Sequence, residues 1–341
     1  MGSVKDLTVL QSPTREYPGR GRFMFSDRYS VFDWGEMPDH IDHKGAALCI
    51  AAAYFFEKLE KLGIPTHYLG LVEEEQVKSL SQVSKPVHIL ETKLFRVLHP
   101  ELTDNNAYDY RVYHSEKANY LIPLEIIYRN ALPQGSSIFK RLREGELRPE
   151  DLGLTRMPEE GIDLTRPYLD VSTKLEASDR YLTWQEAQEI SQLSGQKIGE
   201  MNAITLRINQ MISKEAQKLG LKNEDGKFEF ALDQNQDIVL VDVFGTLDEC
   251  RFTYRGTPVS KEIARLYYRK SKWYHELVEA KEKDNTNWKQ FVKTGPESLP
   301  PRLKLLISRI YCAFTNEITG KEWFKETPSL YDILEEIQEF I

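Results

Sequence analysis

Cysteine is scarce. Three of the 341 residues carry a thiol, Cys49, Cys250 and Cys312, scattered, odd in number and never in a CxxC spacing. Neither a disulfide framework nor a thiolate zinc cluster is indicated, and a reducing cytoplasm is the expected location. A basic excess is missing too. With 45 Lys and Arg against 53 Asp and Glu, the net charge is −8, which argues against general binding to nucleic acid or to a membrane surface. No apolar run reaches membrane-spanning length, and no positive patch precedes an apolar core at the N-terminus. Internal repeats and low-complexity tracts are absent as well. What remains is an ordinary soluble composition, 40% hydrophobic and 29% charged. The chain is long enough for one large or two ordinary domains, and such a chain buries roughly three quarters of its unfolded surface without covalent staples.

The most informative stretch is GKFEFALDQNQDIVLVDVFGTLDECR, residues 226–251. Residues 227–232 alternate polar and apolar, residues 238–244 are apolar and β-branched, and DQNQD separates them, the pattern of a β-hairpin. Each strand carries one carboxylate, Glu229 and Asp242. A loop of two residues (235–236) or four (234–237) pairs Leu232 with Val239, and therefore Glu229 with Asp242. Directly opposed residues have Cβ atoms about 5 Å apart, where like charges destabilise a sheet. A hard divalent cation turns that cost into a site, because Mg²⁺ takes one or two carboxylates and completes its shell with waters and phosphate oxygens. The alternative is a solvated strand carboxylate in an odd register.

Along the rest of the chain, residues 4–10 alternate, and residues 23–25 resume a strand after the turn-rich QSPTREYPGRGR. Gly2-Ser3-Val4-Lys5 opens the first strand with a small and basic loop, a weak phosphate-binding pattern. His40 and His43, beside Asp39 and Asp42, suggest a metal site, but without a further ligand they read more simply as a polar loop. Residues 46–62 are helical in pattern, and 67–128 are mainly β. That region leads into RNALPQGSSIFKR at 129–141, where a Gly-Ser turn and a forked Arg suit an anion, or form an ordinary surface loop. Residues 142–182 are polar and proline-punctuated and read as a long loop. Thr183 to Glu186 form a capping box that starts a helical region running to about residue 219. Residues 261–281, 303–315 and 329–341 are amphipathic helices.

Several of these pieces occur together, in order, in one family. Gly2-Ser3-Val4-Lys5-Asp6-Leu7, SDRYSVFD with HKG, RNALPQGSSIFKR, STKLEASDRYLT and KFEFAL…IVLVDVFGTLDECRF resemble the motifs of the SAICAR synthetases, across roughly residues 1–270. The resemblance implies an α+β fold: an N-terminal antiparallel-sheet lobe (1–124) and a larger α/β lobe (125–341), with ATP in the cleft between. It implies an ATP- and Mg²⁺-dependent ligase joining 4-carboxy-5-aminoimidazole ribonucleotide to L-aspartate. Its partners are then small molecules, without nucleic acid or membrane, and self-association is left open.

The resemblance also implies roles. Glu229 and Asp242 take the metal and ATP. Gly2, Ser3 and Lys5 form the nucleotide-phosphate loop, and Leu121 lies in the segment at the adenine. Arg129, Ser136, Arg251 and Arg269 hold the ribonucleotide, with Asp33 and Lys44 also on the substrate side. Arg129, Lys174 and Asp179 are the catalytic candidates. Three departures stand out. Ser3 replaces a common lysine, shifting the charge to Lys5 or to nearby Arg20 and Arg22. Val243 replaces an acid, and Leu48 and Cys49 stand where Asn is common. A non-catalytic nucleotide-binding relative, or a ligase or kinase acting on another metabolite, remain the alternatives.

Overall fold

The computed structural model describes residues 4–105, 107–259, 261–284 and 287–340. Alternation in the first hundred residues builds an antiparallel sheet from β1 (Lys5–Gln11), β2 (Gly19–Phe25), β3 (Tyr68–Glu73), β4 (Gln76–Lys78) and β5 (Ile89–Leu94), in spatial order β1-β2-β5-β3-β4. Helix α1 (Lys44–Lys61) packs on it through a continuous apolar face that includes Ala52, Phe55, Phe56 and Leu59. A small ribbon, β6 (Glu101–Leu102) and β7 (Tyr108–Asp109), leads to the second sheet.

That sheet is formed by β8 (Tyr120–Leu132), β9 (Ile162–Thr173), β10 (Lys222–Leu232), β11 (Ile238–Val241), β12 (Cys250–Tyr254) and β13 (Thr257–Pro258). Its order is β13-β12-β10-β8-β9, with β11 also on β10. One face is apolar: Phe228 and Phe230 of β10 meet Ile126 and Tyr128 of β8 in the core. Gly226 faces Tyr128 directly. A Cβ there would lie 2.5 Å from the Tyr128 hydroxyl, so only glycine leaves room for that ring. The opposite face is polar and carries the site.

Residues 142–182 are not one long loop. β9 runs twelve residues along β8 as the edge of the sheet. Its register slips between Arg129 and Ala131, and Pro167 falls in that irregularity. Proline is tolerated on an edge and at a bulge, so here it disguised a strand as a loop.

The helices follow their caps. The box between Thr183 and Glu186 starts α3 (Trp184–Ser191) as expected. Gln192, with φ 56°, ends it, and Ser194 caps α4 (Gly195–Lys218) by accepting from the Lys197 amide at 3.2 Å. The basic helix expected over 261–281 is two, α5 (Glu262–Arg269) and α6 (Lys272–Lys283), because Ser271 recaps the chain.

The last helices, α7 (Pro301–Thr319) and α8 (Leu330–Ile337), are integral to the fold. α7 lies against α1, and its Thr315 donates to the Ala47 carbonyl at 3.1 Å. It also completes a buried polar triad: Lys44 Nζ donates to Asp248 at 2.7 Å, and the Tyr311 hydroxyl donates to the other oxygen at 2.6 Å. Lys44 is 1% exposed. Removing one partner of a buried pair typically costs about 3–5 kcal/mol, whereas replacing both with apolar residues is often neutral. Lys44→Ala should therefore destabilise the protein by about that much in urea denaturation. The double variant Lys44→Met/Asp248→Leu should recover most of the loss.

Candidate active site

Between the two sheets lies a cavity of about 470 Å³. Leu7 and Val9 of β1, Phe23 of β2, Leu121 of β8 and Val241 of β11 give it apolar walls, and Lys174, Glu229 and Asp242 give it a charged end. Apolar walls with a few convergent polar groups are the usual make-up of a small-molecule site. His67 also lines it, buried between the rings of Phe23 and Phe56 at 5.8 and 5.4 Å. Burial pushes its imidazole down to about 4, so it is neutral at physiological pH.

The hairpin register differs from the expected one by a residue. Leu232 pairs with Ile238, so Glu229 faces Val241 and not Asp242. The connection holds five residues, with Asp233 accepting from the amides of Asn235 and Asp237 at 2.8 and 2.9 Å. An odd register alone would send Asp242 to the far face. Asp242 instead leaves the strand in the left-handed conformation, φ 58°, and lines the same cavity as Glu229. The two carboxylates converge through a kink rather than through pairing.

The directly opposed like charges of this sheet are Glu229 and Glu125, across β10 and β8. Lys174, just past β9, bridges them at 2.7 Å to Glu229 and 2.9 Å to Glu125. Lys227, two residues from Glu229 on the same face, also reaches Glu125 at 2.9 Å. Lys5, the first residue of β1, is bonded to Asp242. Burial, with Asp242 close by, pushes Glu229 up to about 7 against the pull of Lys174. Burial acts on Asp242 as well, but Lys5 overrides it and holds the carboxyl down to about 2. Glu125, though buried, is kept below the ordinary range by Lys227 and Lys174.

A second cavity, of about 380 Å³, opens at the other end of the same sheet face, lined in part by Gln134, Arg251, Glu224, Glu262 and Arg269. Arg251 Nε donates to Asp225 at 2.7 Å and its Nη2 donates to the other oxygen, leaving Nη1 free of that pair. Arg129 is almost enclosed. It donates to Ser136 at 3.4 Å, Ser137 at 3.1 Å and Tyr181 at 3.2 Å, and stands 3.6 Å from Asp225. The turn at Gly135, φ 75°, brings the backbone so near Arg269 that a Cβ would sit 3.2 Å from its Nη2. Arg129, Ser136, Arg251 and Arg269 thus come together, as expected.

Other expected residues sit elsewhere. Lys44 is locked in its triad. Asp33 is exposed, with φ 61°, and pairs with Lys281 at 2.8 Å. Asp179 is exposed beside the cluster of Glu125, Lys227 and Lys174. Arg20 and Arg22 alternate with Phe23 and are both bonded to Glu91 on the face turned from the cavity. Gly2 and Ser3 lie outside the described residues. The sequence reading missed Glu125, Lys227 and Asp225 as site residues. Lys227 and Asp225 were findable, because they share the two-residue period of Glu229. Glu125 required knowing that β8, not β11, places a carboxylate opposite Glu229.

Two carboxylates beside an open cavity suit a hard divalent cation that finishes its shell with phosphate oxygens. Among the described residues no group of three or more His, Cys, Asp or Glu is arranged to hold a metal by itself.

One sheet face that joins an apolar, acid-ended cavity to an arginine-lined one defines a nucleotide-binding enzyme of the α+β class. The chain belongs to the SAICAR synthetase family, whose model matches residues 13–283. It is 48% identical over its full length, and that of its relative, to a chain from Archaeoglobus fulgidus provisionally named phosphoribosylaminoimidazole-succinocarboxamide synthase. It is 32% identical to the phosphoribosylaminoimidazole-succinocarboxamide synthase of Thermoplasma volcanium, over 88% of this chain and 93% of that one. Among solved structures, SAICAR synthase from Saccharomyces cerevisiae complexed with SAICAR matches with a TM-score of 0.65 at 18% identity, over 95% and 94% of the two chains. A SAICAR synthetase in complex with ADP matches with a TM-score of 0.56 at 22% identity, over 87% and 99%.

The raised Glu229 has a measurable consequence. Its folded pKa, about 7, lies above the ordinary 4.5, so its contribution to stability is fully present below about pH 4.5 and is lost as pH rises through 7. Glu229→Gln abolishes that loss. Relative to wild type, the variant should gain on the order of 2 kcal/mol between pH 5 and pH 8 in denaturant titrations.

Proposed function

We propose that this protein condenses 4-carboxy-5-aminoimidazole ribonucleotide with L-aspartate at the expense of ATP, giving SAICAR, ADP and phosphate. The observation that carries the reading is the single polar sheet face that joins both cavities. The apolar cavity takes ATP, with its base against Leu121 and its phosphates toward Lys5, Glu229 and Asp242. The arginine-lined cavity takes the ribonucleotide, with Arg251 and Arg269 as donors and Arg129 and Ser136 behind them. The first sheet and the second enclose the nucleotide between them; the boundary expected at 124/125 moves to the start of β8, because that strand runs unbroken from Tyr120 to Leu132.

A carboxylate is a poor acyl donor. In this reading the ribonucleotide carboxylate attacks the γ-phosphorus, ADP leaves, and an acyl phosphate results. The aspartate amine then bonds to the acyl carbon and phosphate departs. Several anions gather in one cleft, and Lys5, Lys174 and Lys227 are the fixed cations that offset their repulsion. Glu229 and Asp242 would hold Mg²⁺, which supplies further positive charge to the phosphates when bound. Lys174 then swings between holding Glu229 and facing the reacting carboxylate, and Asp179 stands at the same rim.

The test is incubation with ATP, Mg²⁺, L-aspartate and the carboxylated ribonucleotide, following product by absorbance and mass. ATP binding without product would favour a non-catalytic relative. Arg251→Lys loses the forked geometry that lysine cannot reproduce. A charged hydrogen bond is worth roughly 1.5–3 kcal/mol, so the ribonucleotide KM should rise about ten- to a hundredfold while that for ATP moves little. Asp242→Asn should instead lower turnover steeply and raise the Mg²⁺ requirement. ATP weakened by Arg251→Lys, with the ribonucleotide unaffected, would reverse the two cavities.

A further inference from the structure

Most charges along the polar face are matched within it. Lys5 is bonded to Asp242, Lys174 bridges Glu125 and Glu229, Lys227 takes Glu125, and Arg251 takes Asp225. Glu249 and Lys261 are different. Both are described residues, and neither side chain has a hydrogen bond or ion pair among the described residues, although each lies in the field of the other. Glu249 stands in the turn directly before β12. The ladder of β10 with β12 ends where Gly226 pairs with Cys250, and Glu249, in the turn just beyond it, is close enough to Lys227 for their charges to interact. Its charge also acts on Lys5 and Lys227. Lys261 lies at the start of α5, and its neighbours Asp248 and Arg265 are already engaged, with Lys44 and Glu262.

This unmatched pair sits midway. Along β10, Asp225 marks the arginine cavity, Glu229 marks the nucleotide cavity, and Lys227 lies between. Same-face neighbours on a strand are about 7 Å apart, so the midpoint lies one such step from each marker. A third reactant has to reach the bond-forming point from there. The backbone around Glu249 is fixed on both sides: its amide and that of Cys250 donate to the Thr246 carbonyl at 3.2 and 3.0 Å, and Asp248 is anchored by Lys44. A preorganised carboxylate without a partner, separated from an unpartnered ammonium by more than ion-pair distance, is complementary to a zwitterion.

We propose that Glu249 and Lys261 seat the amino-acid substrate, Glu249 accepting hydrogen bonds from its ammonium and Lys261 donating to a carboxylate. The inference rests on the proposed function and adds the location of L-aspartate to it. Burial near Lys227 and Arg265 pulls the Lys261 pKa down, so a bound carboxylate would favour its charged form.

The test is steady-state kinetics of the full-length protein and its Glu249→Gln variant with each of the three substrates varied in turn. Losing one charged hydrogen bond should raise the aspartate KM about ten- to a hundredfold, with those for ATP and the ribonucleotide changed less than about twofold. Lys261→Met should raise the aspartate KM too. Hydroxylamine, a small nucleophile that needs no seat, should still intercept the activated carboxylate in both variants at the wild-type rate. An unchanged aspartate KM in Glu249→Gln, with wild-type turnover intact, would overturn this inference alone. Wild-type protein that makes no product would overturn the proposed function and the choice of aspartate with it. If Glu249→Gln does not fold, Glu249→Asp, which draws the carboxylate back by one methylene, replaces it, with the same KM pattern expected and the same unchanged value decisive against.

Discussion

Two carboxylates face each other across neighbouring strands in the interior, and the rest of the cleft is arranged to make that tolerable. Glu125 is 2% exposed and Glu229 7% exposed, in direct register. Directly opposed like charges destabilise a sheet, and burying a charge without a partner costs several kcal/mol. Lys174 therefore reaches over the end of β9 to sit between them, and Lys227 approaches from the same face. The apolar side of the sheet has the complementary task. Phe228, Phe230 and Tyr128 fix β8 against β10, so the charges cannot drift apart to relieve themselves.

A cleft neutralised in this way resists ligands of either sign until one supplies its own compensation. In the proposed function a nucleotide phosphate would compete for Lys5 and a divalent cation for Asp242, so either alone would break the Lys5 contact with Asp242 and strand a partner. Arriving together they would exchange partners without leaving a bare charge. The pairing of Lys5 with Asp242 would thus favour binding of metal and phosphate as one unit.

Much of this was legible in the residues, and the failures have physical causes. Two-residue alternation located β1 and β10, an apolar β-branched run located β11, and the capping box located α3. The arginine motif and Arg251 were found from motif order, and they do meet around one cavity. The register of the hairpin was misjudged because it depends on a five-residue turn held by Asp233, which composition does not distinguish from a four-residue one. β9 was hidden by Pro167, since proline usually argues against a strand and only edge position excuses it. Lys44 was placed on the substrate side by the resemblance, and its buried triad was not legible because its partners, Asp248 and Tyr311, come from segments more than two hundred residues away.

Asp242 holds its position in a conformation that glycine adopts without cost and aspartate only at some expense, φ 58° immediately after β11. In the proposed function, backbone strain and chemistry pull in opposite directions at that one residue. A descendant relieved of the reaction would shed that backbone strain by replacing Asp242 with glycine, but would have to change Lys5 with it, because Lys5 would lose its partner. Drift at this position would therefore be among the earliest signs that a copy of the gene had changed trade, before any change in the fold.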